Sequence, residues 1–533
     1  MLPQIPQLSD YDVSPVNGFL PTEAPLEFLP DPYYQCWETT VASLQALILT
    51  KRIRRVVDAL PVLSTRYLVD EREWRRAYSI LAFIAHSYIW GGNTPADRVP
   101  PSISVPFLSC CRHLELPPVA TYAGLVLWNW RPLDPAVPVD NLENIFTLNT
   151  MTGSLDESWF YLVSVAIEAC AAPTIPLMIR AFEAARLDDG ATVTECLRSF
   201  AEHLDRFGAL LQRMYEECDP HVFYHRIRPY LAGSKNMADA GLPNGVIFDD
   251  GTDAPQHYVQ FSGGSNAQSS VIQFFDLALG VEHRPTGQKP AAAPSTSSGS
   301  SSPSQDAAAP PAPQHNFINE MRSYMPGPHR RFLEAVSSVA NVRQYVRARP
   351  HDRALTTAYD ACLAMLRAFR DKHIQLVSRY IIVKSRETRT RSSSRSRPGV
   401  TNLASGSAAA PFKPTNVGSV GAERVHSTAD SSSSSNNKNI RGTGGTALIP
   451  FLKQARDETG EPAIDAWARR LLNNGPSDAT SVASGFGGSG TNGGGPVGAR
   501  LTKVGEHASG EMEIVGLAGV WTADDSEGGI CHW

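Results

Sequence analysis

The spacing of apolar residues constrains this chain most, because over most of its length they recur every three or four positions. Trp74, Tyr78, Leu81 and Ile84 are one example, and this is the spacing of one buried face of a helix. Apolar–polar alternation bounded by hairpin turns, which is typical of strands, is nearly absent. The sequence therefore predicts an all-α fold. The predicted helices span 38–60, 73–88, 119–130, 158–171, 176–185, 193–218, 269–279, 317–324 and 355–383.

Three segments lack this pattern. Residues 284–313 are rich in Pro, Ala and Ser, residues 386–440 in Ser, Arg and Asn, and residues 472–533 in Gly and Ser. They hold 21 of the 40 Gly of the chain. Because such compositions bury too little apolar surface to offset the entropy of ordering, we predict two disordered insertions and a disordered tail.

Charge and cysteine content narrow the function classes. The formal net charge is −5 and the pI about 6.3, so no overall charge attracts nucleic acid or an anionic membrane. The eight cysteines form no CxxC pair, which favours a reducing, cytoplasmic setting. The apolar stretch 160–179 contains Glu168, Pro173 and Pro176, and we interpret it as buried helix rather than a membrane span.

One basic run stands apart from this charge balance. Residues 386–397 alternate Arg with Ser and Thr, a composition that suits either a solvated loop open to phosphorylation or a nucleic-acid patch. The first interpretation is favoured, and we expect no nucleic-acid partner.

Common catalytic motifs are missing from the sequence. It contains no GxxxxGK[ST], GxSxG or HExxH pattern. His221 and His225 are four residues apart, but no neighbouring carboxylate or cysteine completes a recognisable metal-ligand set with them. The strongest candidate for a functional residue is instead His373, which shares a predicted helix face with Phe369, Leu376 and Tyr380. Its imidazole is either a core side chain bonded to a carbonyl or an axial ligand of a haem iron.

Three further places leave similar alternatives open. Gly263 and Gly264 lie in a loop whose serines can cap the helix that follows. The two glycines suit either a simple turn or a close approach of the backbone to a flat ligand. Phe223 and Arg228 form either a core aromatic beside a surface arginine, or an aromatic wall with a guanidinium that binds a carboxylate. Ser164 is a lone hydroxyl in an apolar helix, which is usually explained by a bond to its own backbone.

Several words of the sequence resemble the indoleamine 2,3-dioxygenase family, particularly its fungal members. The resemblance covers about 12–385 and 441–455 in order. The words that carry it are SGGSNAQSSVIQFFDLALG (262–280), EMRSYMPGPHRRFL (320–333), AYDACLAMLRAFRDKHIQLVSRYII (358–382) and RGTGGTALIPFLK (441–453). Weaker matches are SYIWGG (87–92), LELPPVATYAGLVLWNW (114–130) and WFYLVSVAIEACAA (159–172).

The resemblance implies a role for each matching residue. His373 would be the proximal ligand of haem b, Arg228 would pair with the substrate carboxylate, and Thr443 would belong to a mobile lid. The catalytic set would be Arg228, Ser164 and Phe223. The substrate-binding set would add Tyr122, Leu125, Val126, Phe160, Tyr224, Ser265 and Thr443. The haem-binding set would be Gly264, Asn266, Asp276 and Arg370. Leu125, Tyr224 and Asn266 depart from the animal members of the family.

The resemblance also implies the architecture and the reaction. A small N-terminal helical domain at 12–130 would pack on a large haem domain formed by 131–283 and 314–385, with a lid and a C-terminal helix at 441–471. The reaction would insert both atoms of dioxygen, as co-substrate, into L-tryptophan or a related indoleamine and give N-formylkynurenine. We expect the protein to be a monomer and to have no membrane as a partner.

Two other functions stay open at this point. One is a haem-binding relative that senses a ligand or redox state with little turnover. The other is a helical scaffold whose low-complexity segments carry the function. Uptake of haem separates the second from the rest, and formation of N-formylkynurenine separates the enzyme from the sensor.

Overall fold

A computed structural model describes residues 3–287, 316–387 and 448–473, together with three strands between 504 and 522. The described residues are mostly helical, which confirms the predicted all-α fold. Residues up to Ile464 form one compact unit and those from Asp465 onward a second. The predicted boundary near 130 between a small and a large domain stays a prediction.

The predicted helix at 38–60 is broken into three short helices. Lys51, two residues after the end of the second helix, adopts the left-handed conformation (φ +58°), so the chain turns there although the apolar residues keep helical spacing. Five helices occupy this N-terminal part, and the predicted helix at 73–88 is the core of the longest. They are α1 (Gln35–Ala42), α2 (Leu44–Leu49), α3 (Ile53–Asp58), α4 (Glu71–Trp90) and α5 (Pro101–Leu114).

The predicted helix at 119–130 is instead a single π-helical turn, Ala123–Leu127. Pro117 and Pro118 keep the preceding chain non-helical. Gly124 lies against the Tyr78 ring, where an added Cβ would come within 2.9 Å of Cε1. The close approach to α4 therefore fixes this short turn in the core, next to the cavity described below.

The middle of the chain follows the sequence prediction closely. The apolar stretch at 155–186 forms two consecutive helices, and 72% of its most apolar window is buried inside the protein. The helices of this part are α6 (Leu155–Ala171), α7 (Thr174–Arg186), α8 (Gly190–Gln212), α9 (Met214–Glu217), α10 (Pro220–Val222), α11 (Arg228–Leu231) and α12 (Ser270–Leu279).

The C-terminal part of the first unit is built on one long helix that packs against α8 and against the helix at 448–460. It continues into a π-helical segment, Ser378–Val383, so the predicted helix at 355–383 changes its winding near its end. The helices of this part are α13 (Phe317–Arg322), α14 (Gly327–Val339), α15 (Val342–Arg347), α16 (Arg353–Val377) and α17 (Leu448–Gly460).

Strands are few and short among the described residues. In the first unit β1 (Arg98–Val99) pairs in parallel with β4 (Ile247–Phe248), and β2 (Trp130–Pro132) pairs antiparallel with β3 (Ile145–Thr147). The second unit contains α18 (Ala466–Asn473) and an antiparallel sheet. Its strands are β5 (Val504–Glu506), β6 (Met512–Gly516) and β7 (Gly519–Thr522).

Candidate functional site

A single large cavity gathers most of the residues that the sequence singles out. Its volume is about 230 Å³, roughly fifteen times the room that one enclosed water needs. Its walls come from α6, the two π-helical turns at 123–127 and 223–227, the loop before α12, α16 and α17. The predicted site residues that line it are Tyr122, Leu125, Val126, Phe160, Ser164, Phe223, Arg228, Gly264, Ser265, Asn266, Arg370 and His373.

Two predicted site residues in the described part of the chain do not line this cavity. Tyr224 lies behind Arg228, whose guanidinium carbon is 5.4 Å from the centre of the tyrosine ring. Asp276 is buried behind Arg370. Thr443 lies outside the described residues.

His373 projects from the apolar face of α16 that the sequence predicts. Phe369, Leu376, Val377 and Tyr380 line the cavity beside it. Loss of hydration, helped by the neighbouring charge of Arg370, lowers the pKa of His373 to about 4. The imidazole is therefore neutral near pH 7, which is the form that binds a metal ion.

Arg228 and Phe223 reach the same cavity because a π-helical turn, Phe223–Ile227, separates them. Residues five apart come together in a π-helix, whose hydrogen bonds run from i to i+5, whereas an α-helix would turn them to different sides. Arg228 is only 2% exposed, and burial lowers its pKa. The Phe223 ring lies 4.8 Å from that of Phe160, so the guanidinium has an aromatic wall beside it.

The two glycines before α12 allow different contacts. A Cβ on Gly263 would lie 2.1 Å from the carbonyl oxygen of Leu231, where two backbone segments cross. A Cβ on Gly264 would meet the end of the Leu125 side chain at 2.4 Å. Ser269 caps α12 by accepting a hydrogen bond from the amide of Ile272, as the sequence predicts for a serine of this loop.

Arg370 is held by a buried ionic cluster behind the cavity. It donates from Nη2 to both carboxylate oxygens of Asp276, each at 2.7 Å. His283 joins Asp276 (Nε2–Oδ2, 3.0 Å) to Glu458 of α17 (Nδ1–Oε2, 2.7 Å). Burial opposes the charged form of each group, but Arg370 and His283 hold the pKa of Asp276 below its usual value, and the two carboxylates raise the pKa of His283.

Sequence reasoning missed two parts of the cavity wall. The first is the stripe of α17 formed by Leu448, Phe451, Leu452 and Ala455; its spacing of three and four residues was the available signal. The second is Ser269, whose hydroxyl donates to the buried carboxylate of Glu168. No local pattern indicates that pair, because the fold brings together residues 101 positions apart.

The described residues contain no group of three or more His, Cys, Asp or Glu side chains placed to hold a metal ion. The rings of His221 and His225 lie 4.4 Å apart, without a third ligand of these types. The cavity around His373 is thus a site with one imidazole, the guanidinium groups of Arg228 and Arg370, and mostly apolar walls.

Comparison with known proteins gives one consistent result. A family model described as indoleamine 2,3-dioxygenase matches residues 7–462. An indoleamine 2,3-dioxygenase of Saccharomyces cerevisiae is 42% identical over 466 residues, 85% of this chain and 93% of that protein. A 6-hydroxytryptophan 2,3-dioxygenase of Fusarium equiseti is 35% identical, covering 85% of this chain and 97% of its own length. Indoleamine 2,3-dioxygenase 1 of Mus musculus is 32% identical, with 86% and 96% covered.

Proposed function

Because the chain belongs to the indoleamine 2,3-dioxygenase family, we propose that it is a haem-dependent dioxygenase converting L-tryptophan to N-formylkynurenine. The observation that carries this proposal is the arrangement of the cavity, which has His373 on one wall, Arg228 on another and aromatic side chains between them. The proposal applies to the first compact unit, because the family model matches residues 7–462, which is almost all of that unit.

The residues of the cavity fit a haem. The neutral imidazole of His373 is a good ligand for iron, and its ring forms no hydrogen bond with any other described side chain or backbone group. The neighbouring Phe369, Leu376 and Val377 offer an apolar wall that suits a porphyrin. Arg370 lines the same cavity and supplies a positive charge that can meet a haem propionate. When bound, the haem iron supplies the activation of dioxygen for insertion across the indole C2–C3 bond.

The protein's own contribution is orientation. The buried fork of Arg228 can bind the substrate carboxylate through two parallel hydrogen bonds. With that end fixed, the contacting rings of Phe160 and Phe223 offer an aromatic surface against which the indole ring can pack. Holding a substrate in its reacting geometry can supply a large part of the rate enhancement without a strong base.

Ser164 has a smaller part in this scheme. Its hydroxyl lies 3.4 Å from the carbonyl oxygen of Phe160, one turn earlier in α6, which is the backbone bond typical of a buried helical serine. Ser164 lines the cavity next to this aromatic surface and can offer a weak polar contact there. The remaining walls exclude water, which keeps the reacting atoms in a dry site.

We further propose that the protein works as a cytoplasmic monomer on L-tryptophan or a related indoleamine. Seven cysteines of the described residues are free thiols, and six of them are buried, which suits a reducing compartment.

The test is turnover by protein loaded with ferrous haem, supplied with dioxygen and L-tryptophan. We expect the absorbance of N-formylkynurenine to develop. Haem-replete protein that yields none would contradict the dioxygenase and favour a sensor, whereas protein that takes up no haem would contradict both.

A further inference from the structure

Glu168 is a buried acid beside the cavity that the scheme above does not use. It lies on α6 one turn after Ser164 and is only 1% exposed. Its Oε1 accepts a hydrogen bond from the Tyr122 hydroxyl at 3.0 Å and another from the Ser269 hydroxyl at 2.6 Å. Both hydroxyl-bearing residues line the cavity, and Glu168 itself does not.

The two bonded residues come from separate parts of the wall. Tyr122 directly precedes the π-helical turn at 123–127, and Ser269 ends the glycine loop before α12. Gln268 adds a second tie between these parts, since it accepts from the Tyr122 amide (2.9 Å) and donates to the Gly263 carbonyl (2.9 Å). Glu168 joins them to α6, so three elements meet at one carboxylate.

We propose that Glu168 is a positioning residue for the indole-binding wall, because its carboxylate holds the Tyr122 ring and Ser269 in register with Phe160 and Ser164 on α6. The inference rests on the proposed function, since it assigns a residue that orients the substrate of that reaction. Glu168 acts through Tyr122 and Ser269 rather than by touching the substrate.

The protonation state of Glu168 sets how firmly this wall is held. Burial raises the pKa of the carboxyl from 4.5 to about 7. A carboxylate accepts hydrogen bonds roughly twice as strong as a neutral group does, so both bonds strengthen as the pH rises through 7. The titratable group that faces Glu168 is Tyr122, whose own pKa burial raises well above 10, and the charged side chains that line the cavity are Arg228 and Arg370.

The first experiment compares Glu168→Ala and Glu168→Gln with the wild type in haem-loaded protein. A misplaced indole reacts slowly even when its carboxylate is held. We therefore expect Glu168→Ala to lower kcat about tenfold while KM for L-tryptophan changes about twofold or less. The amide oxygen of Glu168→Gln still accepts both bonds but carries no charge, so this variant should keep the kcat that the wild type has below pH 7.

The pH profile separates positioning from a general loss of packing. We expect the kcat of the wild type to rise through an apparent pKa near 7, and that step to be absent in Glu168→Gln. Glu157→Gln is the matched control, since Glu157 is a second buried glutamate of α6 that accepts from Thr152 and Tyr161 instead. That variant should keep the step. A wild-type kcat in Glu168→Ala, or a step that survives in Glu168→Gln, would overturn the inference.

A third measurement needs no turnover. Between pH 4.5 and 7 the folded protein binds a proton at Glu168 that the unfolded chain does not, so this carboxyl lowers stability as the pH rises. The melting temperature of the wild type should therefore fall relative to Glu168→Gln over this range. A constant difference would contradict a buried, titrating carboxyl. If wild-type protein makes no product, the proposed function fails, and this measurement decides on Glu168 alone.

Discussion

Arg228 brings a full positive charge into a cavity whose walls are mostly aromatic and aliphatic. We propose that it binds the substrate carboxylate, and Arg228→Ala should then weaken L-tryptophan binding tenfold or more. A hydrogen bond to a charged group is worth about 1.5–3 kcal/mol, which corresponds to a loss of that size. Arg228→Lys keeps the charge but loses the planar fork, so we expect an intermediate affinity. Titration calorimetry with L-tryptophan measures both, and equal losses of haem and substrate would contradict this role.

His373 is the imidazole on which haem binding should depend. Its replacement by alanine removes the proposed iron ligand and leaves the apolar wall in place, so we expect His373→Ala to lose the haem absorption bands after gel filtration. His257→Ala, at an exposed histidine, is the control and should keep them. Normal haem retention in His373→Ala would refute the ligand assignment.

The residues of the site were predictable where the evidence was a local pattern. The stripe around His373 follows from helical spacing alone, and its members line the cavity. The approach of Phe223 to Arg228 depends on a π-helical turn, which no residue pattern announces. Glu168 could be recognised from the sequence only as a charge in an apolar helix, because its partners Tyr122 and Ser269 are distant along the chain.

Gly263 and Gly264 are adjacent but should tolerate alanine differently. A Cβ at Gly263 meets backbone atoms of Leu231 and Gly233, which cannot move alone, whereas a Cβ at Gly264 meets chiefly the flexible end of Leu125. We expect Gly263→Ala to lower the free energy of unfolding by about 3 kcal/mol, within the range of overpacking, and Gly264→Ala to cost less. Chemical denaturation of both variants checks this order, which equal losses would contradict.

The helix α17 is fastened to α12 by His283, which bridges Asp276 and Glu458. His283→Ala leaves two buried carboxylates facing each other without the imidazole. We therefore expect this variant to be about 3 kcal/mol less stable near pH 6, as for other broken buried pairs. Thermal unfolding measures the loss.

The stability that the His283 bridge contributes should depend on pH. The carboxylates raise the pKa of His283 above 6.5, so the bridge stabilises fully below pH 6.5 and its contribution is lost as the pH rises through the folded pKa. The melting-temperature gap between wild type and His283→Ala should narrow in that direction. A gap that widens with rising pH would contradict a charged imidazole.

The spacing of apolar residues predicted where most helices lie, but it did not predict where they are interrupted. The prediction for 73–88 lies within α4, and that for 269–279 matches α12 to within one residue. The π-helical turn at 123–127 goes with the close approach of Gly124 to Tyr78, and the break at Lys51 goes with its left-handed backbone conformation. The helices α5, α14 and α15 and the short helices α10 and α11 were missed, and in α5 the internal Pro106 obscures the pattern.

The whole chain combines a helical unit with segments of low complexity. The all-α prediction holds for the described residues, because buried helical faces dominate the sequence. The sheet β5–β7 lies inside the Gly- and Ser-rich region that begins at 472, where short apolar runs such as Met512–Gly516 escape a prediction based on overall composition. Disorder of the other residues in that region and of the insertions stays a prediction.

The most direct test of the central claim is the fate of labelled dioxygen. Haem-loaded protein would be given L-tryptophan under oxygen-18 gas, and the mass of the product would be measured by mass spectrometry. We predict N-formylkynurenine that carries two labelled oxygen atoms. Unchanged tryptophan from haem-replete protein, or a product with a single labelled atom, would contradict a dioxygenase.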